Sequence, residues 1–253
     1  MAFKFFMKRK TDEAKKPSQP KNTHETKKPE PQQSEIKRPV MIARDQKSVY
    51  AFIDASNLFW GGKESIGFKI NYKKLLEYLE REHGVSKAFY YSGLRIFDFD
   101  YSILDYEAMD FAKLTEHLKE LQKNSDEKTQ FLIEKSLNKI NFYQLLESYG
   151  YVMKIKPAKV YYDEDDENQE RPILKANCDV DMTFDMMRYM QQYSGIIAMT
   201  GDGDFASVLN YLKTHGREVT VLSRWQRTAK EIKNIAEKKF IDLENLRHII
   251  RLG

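Results

Sequence analysis

The positions of four aspartates in this sequence could bring their carboxylates together: Asp54, Asp179, Asp202 and Asp204. Asp54 directly follows the apolar run 48–53, and Asp202 and Asp204 directly follow the run 195–200. Carboxylates that are brought together repel one another, so they either take up protons or bind a cation. Ligation by oxygen alone favours Mg²⁺ or Mn²⁺ over zinc. A site of this kind activates water and stabilises charge on a phosphoryl group, which predicts hydrolysis of a phosphodiester bond.

Three acids after Cys178 compete for one place in this site: Asp179, Asp181 and Asp185. Asp179 is the first choice because it stands at the start of a predicted helix, whereas Asp185 lies about 9 Å further along the axis. If Val180, Phe184 and Met187 form the buried stripe of that helix, Asp181 and Asp185 share a solvent-facing flank. We retain both as supporting candidates.

Some of these acids also have a purely structural interpretation. Asp204 and Asp179 are each well placed to cap a helix, which is worth about 1 kcal/mol. Asp54 and Asp202 are harder to explain in this way, because a carboxylate at the end of a buried parallel strand is costly without a partner. Asn57 either fixes the turn after Asp54 through its amide or is an ordinary turn residue.

The elements that must position these acids alternate along the chain. Short apolar strands are predicted at 48–53, 87–94, 151–156, 195–200 and 218–222, and helical patterns lie between them. This alternation predicts a doubly wound α/β fold with a mostly parallel sheet. In such sheets the functional groups gather outside the carboxyl ends of the strands, so the four aspartates are expected to converge.

A helical insertion is predicted over about 96–135, within a proline-free stretch that extends to about Ser148 and breaks near Asn124 to Lys128. Its apolar residues pack either on the body or on a second copy, and packing on the body is favoured. A homo-oligomer through the insertion is the alternative.

Residues 158–175 are predicted to form a hairpin with five acids at its tip, 163–167. Without a spaced calcium-loop pattern, these acids indicate a solvated turn.

Composition divides the chain into two parts. Residues 1–47 contain 13 basic and 6 acidic residues, a balance of +7, together with five of the seven prolines. They are predicted to be a disordered basic tail. Residues 48–253 hold 29 basic and 32 acidic residues, a balance of −3, and are predicted to be the folded domain.

The single cysteine excludes an internal disulfide, and no apolar run approaches the length of a membrane span, so we expect a cytoplasmic protein without membrane contact.

One competing motif involves the same loop. Gly201, Gly203 and Ala206 fit the G-x-G-x-x-A pattern of a dinucleotide site, and Arg224 lies where a 2′-phosphate could be bound. Asp202 and Asp204 argue against this interpretation, because they would place two negative charges in a site that must attract a pyrophosphate.

The sequence resembles the NYN domain, a branch of the PIN-like nuclease superfamily. The matching pieces occur in family order: Phe52 to Leu58, Lys175 through Cys178 to Asp181 with Asp185, Thr200 to Phe205, Gly216 to Val219, and Ala236 with Phe240 to Leu243. Cys178 departs from the pattern, because many relatives have a small aliphatic residue there. The resemblance implies a PIN-like three-layer α/β/α sandwich, with Asp54, Asp179, Asp202 and Asp204 as the acidic site and Asn57 in support.

The resemblance and the acidic site together predict a Mg²⁺- or Mn²⁺-dependent endoribonuclease that acts on single-stranded or structured RNA. Lys175, Arg224 and Arg227 are expected to contribute to a basic rim that binds RNA, with Trp225 either stacking on a base or packing as a surface aromatic. The alternative is a non-catalytic RNA-binding or regulatory adaptor that uses the same fold. Clustered negative charge at its binding edge would be of no use to such an adaptor.

Overall fold

A computed structural model describes residues 48–62, 68–101, 109–161 and 173–253, and these ranges fold around a six-stranded parallel sheet. Its strands are β1 (Val49–Asp54), β2 (Val85–Leu94), β3 (Tyr151–Pro157), β6 (Gly195–Met199), β7 (Glu218–Ser223) and β8 (Phe240–Asp242). A separate antiparallel pair is formed by β4 (Lys159–Tyr161) and β5 (Ile173–Lys175). The helices are α1 (Ala55–Gly62), α2 (Tyr72–His83), α3 (Phe111–Lys123), α4 (Glu127–Tyr149), α5 (Asp179–Arg188), α6 (Ala206–Thr214), α7 (Lys230–Ala236) and α8 (Arg247–Ile250).

Helices cover both faces of the sheet, which confirms the predicted three-layer α/β/α fold. In β1, Ala51 and Ile53 belong to one apolar core, whereas Tyr50 and Phe52 belong to the other. The first core includes residues of α2, α3 and α4, and the second includes residues of α5, α6 and α7. A strand that is buried on both faces must be apolar throughout, which is why β1 and β6 show almost no polar alternation.

The strand order is β3-β2-β1-β6-β7-β8, and every neighbouring pair is parallel. The chain therefore builds outward in one direction from β1 and then in the opposite direction from β6. In an open parallel sheet, the point where the order reverses leaves a crevice at the carboxyl ends of the strands. Asp54 ends β1, and Asp202 follows β6, so both lie at this point.

The helical stretch after β2 breaks where predicted. Asp110 and Asp126 cap α3 and α4 through their side chains, and α4 continues as a single helix to Gly150, whose φ of 108° ends it. It therefore passes through the expected insertion boundary at 135. Among its apolar residues, Ile133, Ile140 and Leu146 are buried in the first core and Leu137 is partly buried, whereas Phe131 and Leu145 are exposed.

The predicted buried stripe of α5 is wrong. Val180, Phe184 and Met187 are 72%, 50% and 38% exposed. The buried face carries Met182, Asp185 and Met186 instead. The helix has apolar residues on two sides, and the side with two methionines one turn apart, together with an acid that finds partners inside, is the one that packs.

Two sequence predictions lie outside the described residues: the disordered tail at 1–47 and the acidic hairpin tip at 163–167. Within the described ranges, none of the helices combines the length and apolar character needed to cross a membrane.

Candidate metal centre

Asp54 ends β1 and also begins α1. Its Oδ1 accepts hydrogen bonds from the Ser56 amide at 2.9 Å, the Ser56 hydroxyl at 2.6 Å and the Asn57 amide at 3.3 Å. The sequence predicted a turn here, and the structure instead begins a helix at Ala55, because Asp54 satisfies its first amides. The other oxygen, Oδ2, lies 3.5 Å from the Thr200 hydroxyl, which donates to it. Asp54 is 9% exposed, so its orientation is fixed from several sides.

Asp202 and Asp204 lie in the loop that leaves β6. The Asp202 amide donates to the Thr200 hydroxyl at 3.2 Å, and Oδ1 of Asp202 accepts from the Asp204 amide at 3.0 Å. These bonds form a 3₁₀ turn over Gly203–Phe205, and α6 then begins without a side-chain cap. Asp202 therefore caps the turn, and the predicted capping role of Asp204 is not used.

Gly201 is required at the base of this loop because there is no room for a larger residue. A Cβ at Gly201 would lie 2.9 Å from the Ser223 hydroxyl oxygen and 3.1 Å from Cα of Thr228. The Gly201 carbonyl also accepts from the Ala229 amide at 2.9 Å. The loop is therefore packed directly against the segment that follows β7, which holds the two aspartates beside the ends of the neighbouring strands.

Asp179 is the first residue of α5. Its amide donates to Oδ1 of Asn177 at 2.9 Å, so Asn177 satisfies an amide at this helix start. The Asp179 side chain is partly exposed at the edge of the sheet where β1 and β6 end. Of the three acids that competed for this place, Asp179 is the one that the structure brings to the other carboxylates.

Asp179, Asp202 and Asp204 form a compact cluster. Each offers a carboxylate oxygen, and these oxygens all lie within 4.8 Å of one another. The pKa of Asp179 is raised, first by burial and then by the negative charges of Asp54, Asp202 and Asp204. Asp54 therefore belongs to the same electrostatic environment, although it is not one of the three residues whose oxygens lie within 4.8 Å of one another.

A divalent cation fits these residues. The cluster offers only carboxylate oxygens, which are hard ligands that suit Mg²⁺ or Mn²⁺. The neighbouring Cys178 does not add a soft ligand, because burial and nearby carboxylates raise the pKa of its thiol to about 12. A cation between the carboxylates would also offset their mutual repulsion, which adds to burial in raising the pKa of Asp179.

The supporting candidates are placed differently from one another. The Asn57 side-chain oxygen accepts from the Ser223 hydroxyl at 3.3 Å, which connects the start of α1 to the end of β7. Asp181 binds the Lys156 ammonium at 2.7 Å instead of joining the cluster.

Asp185 is only 5% exposed, whereas the sequence predicted a solvent-facing carboxylate. It accepts from the Tyr91 hydroxyl at 3.0 Å and pairs with Lys154 at 3.3 Å and Arg188 at 3.0 Å. This buried network attaches α5 to the sheet, and Asp185 therefore supports the helix that carries Asp179.

The three cations of the predicted basic rim have different surroundings. Arg224 lies with its guanidinium 2.9 Å from Glu244 and 3.9 Å from Asp242, so it forms an internal ion pair. Arg227 is exposed in the 3₁₀ turn Trp225–Arg227, which follows β7. Lys175 ends β5, and its side chain lies outside the described part of the structure. Trp225 is half-exposed, packs edge-on against Phe240, and has the Lys233 ammonium 4.5 Å from its ring centre.

Sequence reasoning missed two hydroxyl residues of this site, Ser56 and Thr200. Both orient Asp54, and Thr200 also binds the Asp202 amide. Their positions carried a weak signal: Ser56 is two residues after Asp54, the spacing of a side chain that caps a turn, and Thr200 is the last residue of the predicted strand.

Part of the chain matches the model of a known domain family. The model of the NYN domain matches residues 96–244, which is more than half of the chain. The chain therefore belongs to the NYN domain family. The matched region includes α3 and α4 together with Asp179, Asp202 and Asp204, whereas Asp54 precedes it.

Individual relatives are more distant. The chain is 34% identical over 109 residues to the low amplitude and bright protein LabA of Synechococcus elongatus, an alignment that covers 43% of this chain and 57% of LabA. The chain thus spans just over half the length of that relative. A Vibrio parahaemolyticus protein of unknown function, VPA0982, has a similar structure with a TM-score of 0.52 and 17% identity, covering 84% of this chain and 100% of that one. This likeness supports the fold.

Proposed function

We propose that this protein is a Mg²⁺- or Mn²⁺-dependent endoribonuclease. The observation that carries the proposal is the cluster of Asp179, Asp202 and Asp204, with Asp54 beside it, at the point where the order of the strands reverses. A bound divalent cation would supply Lewis acidity, lowering the pKa of water and stabilising charge on the phosphate.

Each aspartate has a role that follows from its contacts. Asp179, Asp202 and Asp204 supply the oxygens closest to one another, so they would hold the cation. Oδ1 of Asp54 is committed to the start of α1, whereas Oδ2 has only the longer contact with Thr200. Oδ2 would therefore complete the metal site from the end of β1. Ser56 and Thr200 orient the Asp54 carboxylate, the Asp204 amide orients that of Asp202, and none of these groups itself reacts.

RNA is the substrate that the family resemblance favours, and a cytoplasmic location is in keeping with the single cysteine. The folded part of the chain has a balance of −3, which by itself opposes binding to a polyanion. A cation in the cluster would offset part of this charge, so we expect RNA binding near the site to depend on divalent metal.

The test compares wild type with Asp54→Asn and Asp202→Asn on end-labelled RNA, with Mn²⁺, with Mg²⁺ and with EDTA. We expect wild type to cleave the RNA only with divalent metal, and each substitution to slow cleavage by at least about 100-fold, since removing a metal ligand takes away several kcal/mol of charge stabilisation. Asp126→Asn is the matched control: Asp126 caps α4, asparagine caps a helix equally well, and cleavage should be unchanged.

The outcomes separate the activity from the site. If the RNA stays intact under every metal condition while wild type still binds it, the adaptor hypothesis replaces the nuclease proposal. Cleavage that survives both substitutions would show that the activity resides elsewhere in the chain. Thermal denaturation of each variant confirms that a loss of cleavage is not a loss of folding.

A further inference from the structure

We infer that one exposed strip of α4, made of Lys128, Phe131, Lys135 and Lys139, binds single-stranded RNA and leads it to the metal centre. This inference rests on the proposed function and names the surface that would hold its substrate. We call these four residues the α4 strip.

The α4 strip is continuous on the helix surface. Its members are spaced by three, four and four residues, so each lies one turn from the next. At 100° per residue the three lysines fall within about 40° of one another, with Phe131 next to them. Lys128, Phe131 and Lys135 are exposed, and Lys139 is exposed along its side chain while its ammonium is held against the Gly93 carbonyl. From Lys128 to Lys139 the strip covers about 16 Å of helix, enough for several successive nucleotides.

One end of the α4 strip reaches the edge of the sheet where the carboxylates lie. The Lys139 ammonium donates to the Gly93 carbonyl at 2.7 Å, next to the last residue of β2. Gly93 in turn is in direct contact with Ala176, since a Cβ there would lie 2.2 Å from the Ala176 Cβ. Residues 176–178 then lead into Asp179. The positive strip and the acidic cluster are therefore separated by a single short segment.

The chemistry of the α4 strip fits a single strand. Phe131 is 56% exposed on a helix whose other apolar residues are largely packed, and the Lys135 ammonium lies 4.2 Å from its ring centre. An exposed aromatic ring stacks on an unpaired base, and lysines beside it pair with the flanking phosphates. A helix surface cannot offer this stacking to a base that is already paired within a duplex.

The charge distribution explains why such a strip is needed. The carboxylates repel the phosphates of any approaching RNA, and Arg224, a predicted RNA contact, is held by Glu244 and Asp242. Three lysines along one helix supply the opposite charge on a surface that continues to the site. Counterion release from the bound phosphates would then provide much of the affinity.

The experiment measures binding of the full chain to fluorescent oligouridine of two lengths, about 4 and about 16 nucleotides, by anisotropy in EDTA at several salt concentrations. We compare Phe131→Ala, and the double variant Lys128→Ala with Lys135→Ala, to wild type. The matched controls are Leu145→Ala, which removes an exposed apolar side chain of the same helix, and Lys73→Ala with Lys74→Ala on α2.

For the longer RNA we expect Phe131→Ala to weaken binding by about 10-fold and the double lysine variant to lower the slope of log affinity against log salt by about 1.4. Both control variants should bind the longer RNA as wild type does, and the short RNA, which makes fewer phosphate contacts, should bind wild type more weakly than the longer one. Unchanged binding of the longer RNA by the strip variants would overturn the inference. So would a wild type that is dimeric by size-exclusion chromatography beside a monomeric Phe131→Ala variant with unchanged RNA affinity, which would assign the strip to contact with a second copy.

Cleavage assays on the same proteins keep this inference apart from the proposed function. A wild type that binds the longer RNA through the strip but does not cleave it with Mn²⁺ would overturn the nuclease proposal and leave the strip in place. If wild type cleaves and the strip variants keep the wild-type KM for the longer RNA, the nuclease proposal stands and the inference about the α4 strip is overturned.

Discussion

Asp179 is partly buried beside three other carboxylates. Burial and three neighbouring negative charges raise its pKa in the folded protein above the value in the unfolded chain. The folded state therefore holds a proton on Asp179 more tightly than the unfolded state does. At neutral pH that proton is absent, so the charged side chain lowers the free energy of unfolding.

Asp179→Asn should accordingly stabilise the metal-free protein at neutral pH. The side chain is partly exposed and solvent screens it, so we expect a gain below about 1 kcal/mol, a rise in Tm of about 1–3 °C. The gain should fade as the pH falls through the raised pKa of Asp179, because the wild-type carboxyl then becomes neutral as well. Thermal denaturation in EDTA at pH 7 and near pH 4 measures this difference. A variant that is less stable than wild type at pH 7 would mean that the carboxylate makes a favourable contact instead.

At the scale of single residues, the convergence of the carboxylates could be predicted better than the contacts around them. Asp54, Asp202 and Asp204 could be placed because each directly follows a buried strand, and strand ends converge by topology. The burial of Asp185 could not be predicted, since its partners Tyr91 and Lys154 come from β2 and β3, which are distant in sequence. The ion pair of Arg224 could not be predicted either, because the sequence shows its charge but not the acid that faces it.

The helix α5 shows why a helical pattern can be assigned to the wrong face. Its two apolar sides carry similar residues, so the hydrophobic pattern alone does not decide which side packs. In the structure, Met182 and Met186 are completely buried, whereas Val180, Phe184 and Met187 face outward. The register is set instead by the ends of the helix: Asp179 at the site and Arg188 beside the buried Asp185.

A matched pair of methionines on α5 tests this register. Met186 is 0% exposed and Met187 is 38% exposed, and the two are adjacent in sequence. Met186→Ala should lower the free energy of unfolding by about 2–4 kcal/mol, because it leaves a cavity in the second core. Met187→Ala should cost less than about 1 kcal/mol. Urea denaturation of the two variants gives both values, and equal losses would show that α5 is rotated about its axis relative to the structure.

The segment 176–178 determines where α5 begins, and it passes over Gly93 with no space for a side chain. Because a Cβ at Gly93 would lie 2.2 Å from the Ala176 Cβ, Gly93→Ala must displace this segment and Asp179 with it. We expect RNA cleavage to fall by at least about 10-fold, since small displacements of catalytic groups reduce rates strongly. Gly216→Ala is the control: its φ of +77° makes alanine strained, but open space surrounds it and it ends α6 away from the site.

The two glycine variants separate the effect of backbone strain from the effect of displacing Asp179. Gly216→Ala should lower stability by about 1 kcal/mol and leave cleavage per folded molecule unchanged. If Gly93→Ala also kept full cleavage while folding normally, the segment 176–178 would not set the position of Asp179.

At the scale of the whole molecule, the alternation of apolar strands and helices predicted the sheet, its parallel strands and the edge at which the site forms. The packing of α4 was less accessible to sequence reasoning. Its core-facing and outward apolar residues, such as Ile133 and Phe131, look alike in sequence. The direction each one faces depends on how the helix lies against α3 and the sheet. An apolar residue that faces solvent is therefore visible only once the fold is known.

The distribution of charge along the chain gives the last prediction. Residues 1–47 carry a balance of +7, and the remaining residues carry −3. Deleting residues 1–47 therefore changes the formal net charge from +4 to −3. If the deleted residues contact phosphates, the salt dependence of RNA binding should weaken, with a slope lower by about 0.7 for each contact that is lost. Cleavage at saturating RNA should persist, because the carboxylates and the α4 strip lie outside the deleted residues. Anisotropy over a range of salt concentrations, with the full chain and the deletion side by side, gives the two slopes. Identical slopes would show that the basic residues at 1–47 make no phosphate contacts.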